Sequence, residues 1–106
     1  MALPSKIKMG DKTVEVTYHD HIGRHTGGYA VSGDYHRGKM RLRNGMDRAR
    51  KRDVTVHELL HNIWEQTHLS DHYSQRTEEF IIMEMAGWIV QMMRDNPELV
   101  DYLMED

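Results

Sequence analysis

The apolar period of this chain changes once along its length. Up to Leu42, apolar and polar residues alternate: Ile7 and Met9, then Val14, Val16 and Tyr18, then Met40 and Leu42. Alternation gives a pleated strand one apolar face and one wet face. From Ala49 onward the apolar residues recur every three or four positions, through Val56, Leu60 and Ile63, then Ile82, Met85, Ala86, Ile89 and Met93, then Leu99, Val100 and Leu103. That is the spacing of helices with one buried stripe. Strands first and helices after predict an α+β fold, a small antiparallel sheet followed by two or three helices. The 106 residues leave room for one core, so a single domain over 1–106 is expected.

Turn-forming residues divide this pattern. Gly10-Asp11 separates the first two strands as a hairpin, and Asn44-Gly45 ends a third strand over Gly38 to Arg43. Between them, His19 to His36 holds four glycines and reads as a long irregular loop in which only Tyr29-Ala30-Val31 resembles a strand. Asp47 or Asp53 is positioned to cap a first helix running to about Thr67. A polar connection, His68 to Gln75, precedes the second helix, and Asn96 as N-cap with Pro97 at the first helical position opens the last. Met83, Met85, Met92 and Met93 read as core filler on the second helix.

Composition narrows the chemistry. With no cysteine, disulfides, thiolate nucleophiles and cysteine-held metals are excluded, so any metal must be held by His, Asp or Glu. Eight histidines supply the commonest protein metal ligand. No stretch approaches the roughly 18 apolar residues of a membrane span, and the first six residues lack the apolar run of a secretory signal. No membrane association and a cytoplasmic location are the expectations. The formal charge is −3, yet Arg37 to Arg52 carries eight Lys or Arg against Asp47 alone, and Glu78 to Asp106 carries eight acids against Arg94 alone. These segments are either faces of one domain that attract each other or, for the basic one, a contact surface for nucleic acid or an acidic partner.

The densest chemistry is His57-Glu58-Leu59-Leu60-His61 within the first predicted helix. Residues four apart share a helix face, so both imidazoles can aim at one tetrahedral metal, with Zn2+ the expected ion. Glu58 stands off that stripe, but its side chain is long enough to reach a metal-activated water as general base. Trp64 continues the two-histidine stripe and should draw it inward, where unpaired imidazoles are costly. Two histidines need a third ligand. A Gly at position 64 and a His at 67 would make the metzincin pattern, but Trp64 and Thr67 stand there. Glu78 and Glu79 open the second helix, and an antiparallel arrangement brings its first turns beside the motif. Helical-wheel angles of about 30° for Glu78 and about 70° for Glu79 from the apolar midline lean toward Glu78. Asp71 and His72 on the connection, and His68 on the extended stripe, are further candidates; His19, His21, His25 and His36 would be the donors of any second site.

The stretch Thr55-Val56-His57-Glu58-Leu59-Leu60-His61, a carboxylate some eighteen residues on, and Arg94-Asp95-Asn96-Pro97-Glu98-Leu99 resemble the small phage and prophage zincin-like metallopeptidases of the gluzincin type, over roughly residues 37 to 104. The resemblance implies a zincin-like fold and a zinc peptidase in the cytoplasm of a phage host. It also implies a Glu third ligand followed by apolar residues at three and seven positions. Ile82 and Ala86 fit that register from Glu79, while Ile81 and Met85 fit it less well from Glu78, so His57, His61 and Glu79 form the expected ligand set with Glu78 as the alternative. The strand Gly38 to Arg43 would then bind an extended peptide or protein substrate by edge pairing. Tyr35, His36, His68, His72 and Tyr73 are candidate oxyanion donors, and no second-shell partner for a ligand histidine is assigned. The rival expectation is a catalytically silent zinc-binding module that holds nucleic acid or a host protein through its basic face.

Overall fold

In the computed structural model, residues 2–22, 33–36 and 38–105 are described. The fold is α+β. Strands β1 (Lys6–Met9), β2 (Lys12–His19), β3 (Gly33–His36) and β4 (Lys39–Arg43) make a four-stranded sheet in the order β1-β2-β4-β3. Helices α1 (Arg48–Gln66), α2 (Leu69–His72), α3 (Gln75–Asp95) and α4 (Pro97–Met104) follow.

The sheet is mixed where an antiparallel one was expected. β1 and β2 form the anticipated hairpin, Met9 opposite Lys12, and its two-residue turn uses Gly10 at φ 68°, the positive φ such turns require. β2 and β4, however, run parallel, Val16 opposite Met40. The reason is β3, which the residue pattern missed. Gly33-Asp34-Tyr35-His36 has little intrinsic strand preference, but it pairs antiparallel with β4 and so reverses β4 relative to β2. Gly33 suits this place because a Cβ there would stand 2.7 Å from Val54 Cγ1 of α1. The strand-like Tyr29-Ala30-Val31 lies outside the described residues.

The sheet core is Val14, Val16, Met40 and Leu42, all buried, with Leu3, Ile7, Met9, Met46, Val54 and Leu59 against it. Helix α1 begins at Asp47, not Asp53: the Asp47 side chain accepts a 2.8 Å bond from Arg50 N. Its buried side differs from the expected Ala49, Val56, Leu60 and Ile63. Ala49 and Ile63 are exposed, while Thr55, Glu58, Asn62 and Trp64 are buried. The helix lies between two layers, so its covered arc faces both the sheet and α3. Thr55 Oγ1 donates to Lys51 O, and Asn62 Oδ1 accepts from Gln66 Nε2, which satisfies polar groups carried inside.

The connection to the second long helix contains one helical turn, α2, which makes four helices among the described residues. Ser74 caps α3 through Thr77 N. Buried Ile82, Ala86 and Val90 carry α3 onto α1, while Met83, Met85, Met92 and Met93 are all exposed and fill no core. Asn96 occupies the N-cap position of α4, but its amide donates back to Met92 O and ties off α3 instead. No helix is long and apolar enough to cross a membrane among the described residues.

Candidate metal centre

The α1–α3 seam brings five titratable side chains together. His57 and His61, one turn apart on α1, hold ring centroids 5.0 Å apart and their Nε2 atoms 3.3 Å apart. From the first turns of α3, Glu79 spans both: Oε1 lies 2.9 Å from His57 Nε2, and Oε2 lies 2.8 Å from His61 Nε2. Glu78, one residue earlier, reaches the other side of the same ring, with Oε2 2.5 Å from His61 Nδ1. Glu58 is 5% exposed, and one of its carboxylate oxygens lies within 4.8 Å of a donor nitrogen on each histidine.

The adjacent glutamates therefore occupy distinct places. Glu79 faces the two Nε2 atoms; Glu78 sits behind His61. A carboxylate on Nδ1 makes that nitrogen the donor and leaves the Nε2 lone pair for a metal, the usual arrangement behind a ligand histidine. This contact was not read from the sequence. The signal available was the Glu-Glu pair itself, since neighbours on a helix point about 100° apart and only one can face the same atoms.

The surrounding carboxylates favour positive charge at this point. Burial alone would depress the His61 imidazole, but its hydrogen bonds to Glu79 and Glu78, with the charges of Glu58 and Glu79, push it up to about 9. The hydrogen bond from His57, then that from His61, hold the Glu79 carboxyl well below the usual carboxylate range, against the opposing effect of burial. Glu79 accepts the Nε2 protons of both rings, and the two Nε2 atoms stand 3.3 Å apart. A divalent cation would replace those protons.

The donor set fits zinc. Four donors at about 2.0–2.1 Å around a tetrahedral ion lie about 3.3 Å from one another, the separation of the two Nε2 atoms. Two neutral imidazoles and one carboxylate are a catalytic zinc set, which leaves a fourth position for water or substrate. His57, Glu58 and His61 together could hold a metal ion, and the Glu79 oxygens lie 2.9 and 2.8 Å from the two Nε2 atoms.

The other candidates stand elsewhere. His68 is 97% exposed and faces Asp71 at 3.8 Å, so it is no third ligand; Asp71 and His72 are exposed on α2. His19 is engaged with Thr17 Oγ1 at 2.8 Å, His21 is exposed, and His25 and the side chains of Tyr35 and His36 lie outside the described residues. Of the candidate oxyanion donors, Tyr73 packs beside Trp64, their ring centroids 6.0 Å apart. Trp64 is 7% exposed, and its Nε1 has no hydrogen-bond partner among the described residues. β4 is paired on both sides, by β2 and β3, and cannot receive a peptide at its edge; among the described residues the sheet edges are β1 and β3. Comparison with family models, curated proteins and solved structures returned no match.

Proposed function

We propose that the protein is a zinc-dependent hydrolase, a small zincin-like metallopeptidase with His57, His61 and Glu79 as its metal ligands. The observation that carries this reading is the convergence of both Nε2 atoms on the two oxygens of one carboxylate, with buried Glu58 beside them. The resemblance of the HExxH segment and of Arg94 to Leu99 to gluzincin-type phage and prophage peptidases supports it, and a cytoplasmic location is proposed with it. Bound zinc would supply a water of pKa about 7 and polarise the scissile carbonyl.

The chain's own residues do the rest. Glu78 fixes the tautomer and orientation of His61 through Nδ1. Glu58 takes a proton as water attacks the carbonyl carbon and returns it to the leaving amine. Its burial keeps the carboxylate out of bulk water and near the reacting atoms. The test is metal analysis followed by a peptide-library digest. Wild type should hold one zinc per chain and cleave, while Glu58→Gln should keep its zinc and lose on the order of a hundredfold in turnover. A wild type that binds no zinc after reconstitution, or a Glu58→Gln variant that cleaves at the wild-type rate, refutes the mechanism.

A further inference from the structure

The basic segment of the chain is divided between two layers. On α1, Lys51 sits over the ring of Tyr18, 4.6 Å from its centroid. Tyr18 has the same strand parity as buried Val14 and Val16, so the α1 cations belong to the helical side of the sheet. In β4, Met40 and Leu42 are buried on that side, which turns Lys39, Arg41 and Arg43 to the opposite face. No helix covers this face among the described residues. The register adds two cations that the linear sequence kept apart: Lys6 of β1 stands opposite Glu15 of β2, which stands opposite Lys39, and Lys8 stands opposite Thr13. Thr17 and His19 pair with Arg41 and Arg43 in the same sense.

The open face therefore carries Lys6, Lys8, Lys39, Arg41 and Arg43, with Glu15 among them and Asp34 opposite Arg41 in register. This cationic surface belongs to a chain of net charge −3, so it is a local concentration of charge and no reflection of the whole. Successive cations along β4 are two residues apart, about 6.6 Å, comparable with the separation of phosphates along a nucleic-acid strand. Among the described residues, no Phe, Tyr or Trp of β1, β2 or β4 lies on the face, so these strands offer no platform on which unpaired bases could stack. Attraction must come from phosphates, whose linear density is highest on a duplex.

We infer that the helix-free face of the sheet is a docking surface for the phosphate backbone of double-stranded nucleic acid, read without regard to sequence. It is independent of the metal centre, which lies between α1 and α3 on the other side of the sheet. Binding holds the protein on nucleic acid while the α1–α3 seam remains open to a second molecule.

Fluorescence anisotropy of a labelled mixed-sequence duplex with the full chain tests this. Four phosphate contacts predict about a hundredfold loss of affinity between 50 and 200 mM salt. Lys6→Gln with Lys39→Gln and Arg43→Gln should flatten the logarithmic salt slope by about 3, while Lys6→Arg with Lys39→Arg should leave it unchanged. Arg48→Gln with Arg52→Gln, on the helical layer, should leave it unchanged as well. The inference is overturned by absence of binding at 50 mM salt, by a loss in the helical-layer variant equal to that in the sheet variant, by tighter binding of a single strand of the same sequence, or by equal binding of polyglutamate, which would make the partner an acidic protein. Because no arm reads zinc or turnover, failure here leaves the hydrolase proposal standing, and the converse holds.

Discussion

Helix α1 takes part in two interiors of opposite character. Toward the sheet it contributes Val54 and Leu59 to a core of Val14, Val16, Met40 and Leu42 that contains no charge. Toward α3 it presents His57, His61 and buried Glu58 to Glu78 and Glu79. The first interior is held by removal of apolar surface from water, which depends little on pH or on metal. The second encloses partly desolvated charges whose balance is set by what occupies the space between them. Every perturbation that distinguishes the two interiors therefore bears on the function proposed for the second.

The largest effect is expected where a ligand is removed. His61→Ala or Glu79→Ala should abolish stoichiometric zinc uptake, and Glu79→Ala should do so far more completely than Glu78→Ala. Loss of Glu79 takes away a donor atom and the negative charge that faces both Nε2 atoms. Metal content after reconstitution and dialysis is the measurement. Equal losses from Glu78→Ala and Glu79→Ala would erase the division of labour between the two carboxylates.

Leu42→Ala probes the other interior. Leu42 is fully buried in the sheet core, and truncation should cost about 2–5 kcal/mol of unfolding free energy through lost burial and a residual cavity. Denaturant melts should give the same cost with zinc and with chelator, because the change touches only the apolar side of α1. A cost that doubled on chelation would mean that the two interiors are coupled through the helix.

These two interiors also differed in how far they could be read from residues alone. The alternation of Val14, Val16, Met40 and Leu42 marked the apolar core directly, because burial on one strand face leaves a period of two. The HExxH spacing likewise marked one side of the seam. What the residues withheld was long-range pairing. The weak strand β3 sets the parallel neighbour of β4, and nothing in Gly33-Asp34-Tyr35-His36 announces it. The exposed methionines escaped for a related reason. Residues 80–93 are apolar nearly all round the helix, so periodicity could not say which stripe α1 would cover, and Val90 rather than Met93 completes it. Glu78 and Glu79 were distinguishable only once both rings of α1 were in place.

A smaller loss is expected behind the site. Glu78→Gln keeps a hydrogen-bond acceptor for His61 Nδ1 but removes its charge, so ring orientation survives while ligand basicity falls. Zinc affinity should drop about 10–100-fold with folding intact. Competition with a chromophoric chelator measures it. An unchanged affinity would show that the charge of Glu78 does not raise the basicity of His61 as a ligand.

The smallest effect is one of pH, and its sign separates the metal-free seam from the loaded one. In the metal-free protein His61 is raised from 6.5 to about 9, so its charged pairing stabilises fully below about pH 6.5 and is lost as pH rises through about 9. Glu79 is lowered, so its contribution is present above about pH 4.5 and disappears as the carboxylate is protonated in acid. Metal-free protein should therefore be most stable near pH 5 to 6.5 and lose several degrees in Tm by pH 9. With zinc the alkaline slope reverses, because ligand imidazoles must be deprotonated and the proton competes with the metal. Tm should then rise from pH 6 toward pH 8. The sheet core has no titrating group and contributes to neither slope. Melting curves in chelator and in excess zinc across this range give both slopes at once, and parallel slopes would show that zinc binds somewhere other than His61 and Glu79.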